Sequence, residues 1–134
     1  MLFGMANEIV APSSIAPPAA NYAHAVLSKG PSRLLHTSGV VPIAPDHDVP
    51  EPIGDQAVVI WNNIAALLAE VEMAPADIVS ITTYVVVDHL ASLGAVMAAR
   101  DAAMGGHRAA STLVTVPALA RPEWKMEIAI VAAR

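Results

Sequence analysis

A chain of 134 residues suits one domain, since two halves would each be too small to bury a sound core. Hydrophobic residues make up 55% and charged residues 14%, against about 25% charged in a typical globular domain, so an oligomer that hides part of each surface is expected. The net charge of −5, the seven scattered Lys and Arg and the lack of cysteine argue against a nucleic-acid groove, a disulfide, a thiolate nucleophile and a Cys-based metal site.

No apolar run is long enough to span a membrane, and Met1–Val10 carries no basic residue, as a signal peptide would; a cytoplasmic protein is expected. Residues 1–21, with Pro12, Pro17 and Pro18, read as an extended arm or edge strand leading into a single domain over 1–134. Tyr22–Lys29 alternates like a strand, Gly30-Pro31-Ser32 turns, and Arg33–Val41 reads as a second strand, so the two are expected to form a β-hairpin. Gly39 inside that strand marks a bulge or a close backbone approach. Residues 42–54, rich in Pro and Asp, form a loop.

From Asp55 to Glu72 the period becomes helical, with Asp55 as N-cap or first-turn acid. Val58, Trp61, Ile64, Ala65, Leu68 and Val71 are expected to form its buried face. Asp77–Val87 is dense in β-branched residues and reads as a central strand. A second helix spans His89–Met104, led in by Asp88 and ended by Gly105-Gly106, with Arg100 facing solvent. Ser111–Ala118 and Trp124–Ala133 are the last strands, with a turn at Arg121-Pro122-Glu123. The order β-β-α-β-α-β-β indicates an α+β sheet with both helices on one face. The other face lacks a covering layer, which again points to self-association.

The residues alone leave several polar groups open. Glu127 alternates with Met126 and Ile128 and faces away from them. Tyr22 and His24 share a strand face; Tyr22 reads equally as a packing or a site residue, and His24 reads as a partly buried structural residue rather than part of the same cleft. His36 reads as structural, His47 as a solvated loop residue rather than a metal ligand, and His89 as part of a helix start. Trp61 and Trp124 read as core or interface. Ser111-Thr112 has no nucleophile elbow around it.

The segments 34–43 (LLHTSGVVPI), 56–88 and 110–132 together resemble the Rid family, also called YjgF-like. The marks are Ser38-Gly39, Gln56 and Asn63 on one helix, Asp77-Ile78-Val79 opening a strand that ends at Asp88, and Val114, Val116 and Leu119 followed by Glu127-Ile128. The resemblance implies a chorismate-mutase-like α+β fold and homotrimers with a barrel-like core. It also implies small-molecule sites between subunits and cofactor-independent hydrolysis of 2-imino acids to 2-oxo acids and ammonia. The family's carboxylate-gripping arginine falls on Ser111, its cysteine on Leu113 and its helix asparagine near Gly94. Its water-orienting glutamate falls on Glu127, its tyrosine on Tyr22 and its pocket backbone on Ser38 and Gly39. Arg108 or His107 beside it is the candidate replacement for the arginine, against a reading of the two as a solvated loop pair. The resulting expectation is hydrolysis or tautomerisation of a small imine, enamine or related carbonyl compound, with neither metal nor organic cofactor. The alternative is a ligand-binding or chaperone-like trimer that performs no chemistry.

Overall fold

The computed structural model describes residues 7–134, so the first six positions of the N-terminal arm lie outside the described residues. Six strands and two α-helices follow: β1 (Asn7–Val10), β2 (Ala25–Ser28), β3 (Leu34–His36), α1 (Ile53–Glu70), β4 (Ile78–Val86), α2 (Leu93–Met104), β5 (Ala110–Val116) and β6 (Met126–Ala133). Short 3₁₀ turns at Pro75–Asp77 and Val87–Ser92 lead into β4 and α2. A four-stranded sheet runs β3-β6-β4-β5, with β4 central as expected, antiparallel to β6 and parallel to β5. The fold is α+β, with both helices on one face. No helix among the described residues is long and apolar enough to cross a membrane.

The expected hairpin does not form. β2 pairs with β1 in a separate two-stranded ribbon, and β3 pairs with β6. The Gly30 turn, with φ of 55°, redirects the chain instead of folding it back. Arg33 then exchanges backbone hydrogen bonds with Arg134 at the end of β6. The long last strand thus offers a better partner than the four-residue β2.

Alternation along β4 and β6 sorts the two faces. Ile81, Thr83 and Val85 of β4 and Met126, Ile128, Ile130 and Ala132 of β6 are buried against the helices. A register shift between Ile78 and Ser80 inserts Val79, so Ile78 also points inward. The opposite, helix-free face carries Thr82, Tyr84, Glu127, Ala129, Thr112 and Val114, paired across the strands. The β1–β2 ribbon meets the sheet at one end only. There the Asn7 amide donates to the Ala133 carbonyl, and Ala23 bridges Ala110.

α1 is turned from its expected face. Ile53, Gln56, Ala57, Ile60, Trp61, Ile64 and Leu68 are buried, while Val58 and Ala65 are exposed. Apolar residues lie on every side of this helix, so spacing alone does not select a stripe. Gln56, although polar, is fully buried. Its Nε2 donates to the Pro50 and Glu123 carbonyls, and its Oε1 accepts from the Lys125 amide. It ties the loop before α1 to the loop before β6. Emptying such a position costs about 1–3 kcal/mol for each group left unpaired. Asn63 ties the same region, donating to the Ile43 carbonyl.

α2 is shorter than its expected span because His89 sits in a 3₁₀ turn with non-helical backbone. The helix ends at Gly105, whose φ of 57° lets its amide cap the Asp101 carbonyl. Arg100 is a correction: it is buried rather than facing solvent, with its guanidinium paired to Asp101. The aliphatic stem of an arginine can pack inside a helix layer while its head finds a carboxylate at the rim.

Candidate functional site

Glu127 and Gly39 come together on the helix-free face. After β3, Thr37 pairs with Ile130 and Val40 with Ile128. Three steps on one chain oppose two on the other, so one extra residue bulges at Ser38-Gly39. The Glu127 carboxylate fills the space beside that bulge. A methyl group at Gly39 would lie 2.6 Å from its Oε1, 2.8 Å from its Cδ and 3.2 Å from its Oε2. A side chain at position 39 would require the Glu127 carboxylate or the bulge to shift. The glycine is therefore needed for close approach to the carboxylate, as the sequence suggested, and not for a positive φ. Ser38 is exposed and Glu127 half-buried.

Directly opposite Glu127 on β4 is Tyr84, and Val114 is opposite Tyr84 on β5. Gly39, Glu127, Tyr84 and Val114 thus form one row across the open face. The sequence alone did not single out Tyr84 as a member of this row. Its parity with Ser80 and Thr82 was the available signal, and the inserted Val79 obscures the pattern from the start of the strand.

Ser111 and Leu113 lie on the other side of the sheet. Ser111 pairs with buried Ile81, and Leu113 packs on the hydrophobic core. Ser111 is also three residues along β5 from the Glu127 row, about 10 Å of strand. Tyr22 stands near Ser111's end of β5, because Ala23 bridges Ala110. Its ring meets His24 edge-on at 5.9 Å, and its hydroxyl accepts from the Ala19 amide at 3.3 Å. His24 Nε2 lies 2.7 Å from the Ala16 carbonyl. Gly94 is exposed in the first turn of α2 with open space around it. The candidate residues thus fall into two candidate half-sites: Ser111 and Leu113 on one face, with Tyr22 near that end of β5, and Gly39, Glu127 and Tyr84 on the other.

Arg108 belongs to neither half-site. It donates through Nη2 to Asn21 Oδ1 at 3.2 Å, and Asn21 donates to Asp101 Oδ2 at 3.0 Å. Asp101 Oδ1 accepts from Nε and Nη2 of Arg100, both at 3.1 Å. Burial pushes the Asp101 carboxyl pKa up. The hydrogen bonds from Asn21 and Arg100 and the charges of Arg100 and Arg108 outweigh that and hold it below its ordinary value. This network borders a cleft of about 190 Å³ lined also by Met104, Gly106 and His107. The His107 Nε2 lies 2.8 Å from the Ile78 carbonyl, which fixes the ring against β4.

The sequence profile of the Endoribonuclease L-PSP family matches residues 13–134. Among solved structures, the chain is similar to a protein of unknown function of the Rid family, YyfB from Yersinia pestis. The identity is 29%, with a TM-score of 0.87 over 97% of this chain and 100% of that one. It is also similar to the YjgF gene product of E. coli, at 25% identity and a TM-score of 0.69 over 95% and 98% of the two chains. The fold further matches E. coli TdcF with bound serine, at 21% identity and a TM-score of 0.67 over 95% and 98%. No curated protein matches the chain. With this coverage, and with the same layout of helices and sheet, the chain belongs to the Endoribonuclease L-PSP family, the Rid or YjgF-like proteins.

Proposed function

We propose that the chain hydrolyses a small imine or enamine without a cofactor, at a site completed between copies of itself in a homotrimer. The observation that carries this reading is the Glu127 carboxylate, packed against side-chain-free Gly39 on a sheet face that no helix covers. A carboxylate so held can take a proton from water as the water oxygen bonds to the C=N carbon and the π pair moves to nitrogen. The same proton then passes to nitrogen. The hydroxyl then closes to a carbonyl as its proton passes through the carboxylate to the same nitrogen, and the C–N bond breaks with its pair leaving on ammonia. One positioned group of this kind contributes about 10²–10⁴-fold. Moving the proton between carbon and nitrogen would tautomerise an enamine by the same route.

Family membership supports a small-molecule role in general. The two half-sites support a shared site, because Ser111 and Glu127 stand on opposite faces of one sheet and a single chain cannot turn both onto one substrate. Leu34 and Val114, exposed by 56% and 42% on the helix-free side, favour its burial against another copy. Tyr22, Ser38, Ser111 and Leu113 would then shape the cleft. Arg108 would reach it only by leaving Asn21. RNA cleavage, which the family's name suggests, is opposed by a net charge of −5 and scattered basic residues.

The replacement of the clamp by Ser111 and Leu113 favours a second reading, in which the cleft only holds a ligand. Ammonia release from 2-iminopropanoate made in situ separates the cases. Wild type is expected to be slow, for want of a two-point carboxylate grip, and Ser111→Arg faster. Rapid wild-type turnover of this 2-imino acid would show that the arginine is dispensable. Silence of both proteins on every imine tried would leave the ligand-holding reading, and a melting-temperature rise with 2-oxobutanoate or benzoate would then support it.

A further inference from the structure

The charges around the Glu127 row are one-sided. All seven Lys and Arg side chains of the chain are engaged elsewhere. Lys29 pairs with Glu8, Arg100 with Asp101 and Arg134 with Asp77. Arg108 is held by Asn21, and Arg121 lies over the Trp124 ring at 5.5 Å. Arg33 and Lys125 donate to the carbonyls of Val71 and Glu51. His36, on the same face as Glu127, sits opposite Val131, four residues and about 13 Å along β6. Among the described residues, no Lys or Arg side chain thus pairs with Glu127. What it has is an aromatic ring: Tyr84 is its direct cross-strand neighbour, and such pairs hold their Cβ atoms about 5 Å apart. Val114 flanks the ring, and Ala129 follows on the same face.

A carboxylate paired across the strands with an aromatic residue, with Val114, Ala129, Thr82 and Thr112 around them, is the chemistry that selects an organic cation. The carboxylate supplies the charge-assisted hydrogen bond and the ring supplies cation–π attraction. We infer that Glu127 and Tyr84 form a cation-recognising pair, and that the ligand is a protonated imine, or its parent amine, without a carboxylate of its own. A 2-imino acid would set its carboxylate near Glu127 with no counter-charge on this face, and the half-site with Ser111 and Leu113 supplies none. This inference rests on the hydrolase reading for the chemistry performed, but its binding claim is separate.

The test uses the intact oligomer and two probe series. Calorimetry with benzylammonium and pyrrolidinium is set against benzoate and 2-oxobutanoate. The expected result is that only the cations bind. Glu127→Gln should weaken them about tenfold or more. Tyr84→Leu should weaken them several-fold, and Tyr84→Phe, which keeps the ring, should restore binding. Glu127→Asp, with circular dichroism and oligomer mass, controls for folding. Binding of carboxylates but not cations, cation binding indifferent to Glu127→Gln, or no binding of either series overturns the inference.

Turnover is read in parallel, as ammonia release from imines formed in situ by an amine oxidase or an amino-acid oxidase. Glu127-dependent cation binding without turnover of either imine series retains the inference and removes the hydrolase reading. Turnover of 2-imino acids without cation binding does the reverse.

Discussion

At the scale of single residues, the contact that matters most is one that a side chain would prevent. Gly39→Ala would place a methyl group 2.6 Å from Glu127 Oε1, so the carboxylate or the bulge must shift. A displacement near 1 Å in a group that handles the reacting water costs about 100-fold in rate. Gly39→Ala is therefore expected to lower kcat/KM by about that factor while melting within a few degrees of wild type, as steady-state kinetics and thermal denaturation would show. A normal rate would mean that the carboxylate is not used where it stands. Position 39 was legible in the sequence, because a glycine inside a strand calls for a bulge or a close approach. The identity of what approaches was not, since Glu127 lies 88 positions away and only the pairing of β6 with the residues after β3 brings it there.

At the scale of elements, strong local patterns survived and partner choices did not. β4, α1 and β6 appear where period and β-branching place them, because nine, eighteen and eight residues repeat one signal. The hairpin failed because β2 and β3 are four and three residues long, too short to hold each other against the offer of β6. The face of α1 was misjudged because Gln56 works as a buried tie between loops, which an apolar count cannot see. Arg100 and Asp101 were hidden in the same way, since they join α2 to the N-terminal arm through Asn21. Asp101 has a folded-state pKa below its unfolded value. Its stabilisation is thus complete above the unfolded value, about 3.9, and is lost as pH falls through the folded one. Asp101→Asn is expected to destabilise the protein at pH 7 and to do so by a smaller margin near pH 3 in urea titrations. An equal difference at both pH values would show that the carboxylate's charge does not hold the arm.

At the scale of the whole molecule, a sheet with helices on one side only leaves its other face to be covered by something else. Alanine-rich composition and low charge already point to self-association, and Val114 and Leu34 are exposed apolar residues on this face, beside others such as Val58, Leu67 and Leu90 elsewhere. A homotrimer would bury that face and bring the Ser111 half-site of one copy towards the Glu127 half-site of another. Sedimentation equilibrium should give three times the chain mass, and Val114→Asp, which sets a charge on that face, should lower it. A monomer at micromolar concentration would leave the two half-sites unjoined. The fold could be anticipated at this scale from element order, whereas the placing of the candidate residues on two faces needed the register of β5 on β4. The central claim, that Glu127 handles the hydrolytic water, is tested most directly by ammonia release from an amine-derived imine, with wild type beside Glu127→Gln of unchanged mass and fold. The expected result is a fall of about 10²–10⁴-fold in the catalysed rate. Equal rates from the two proteins would contradict it.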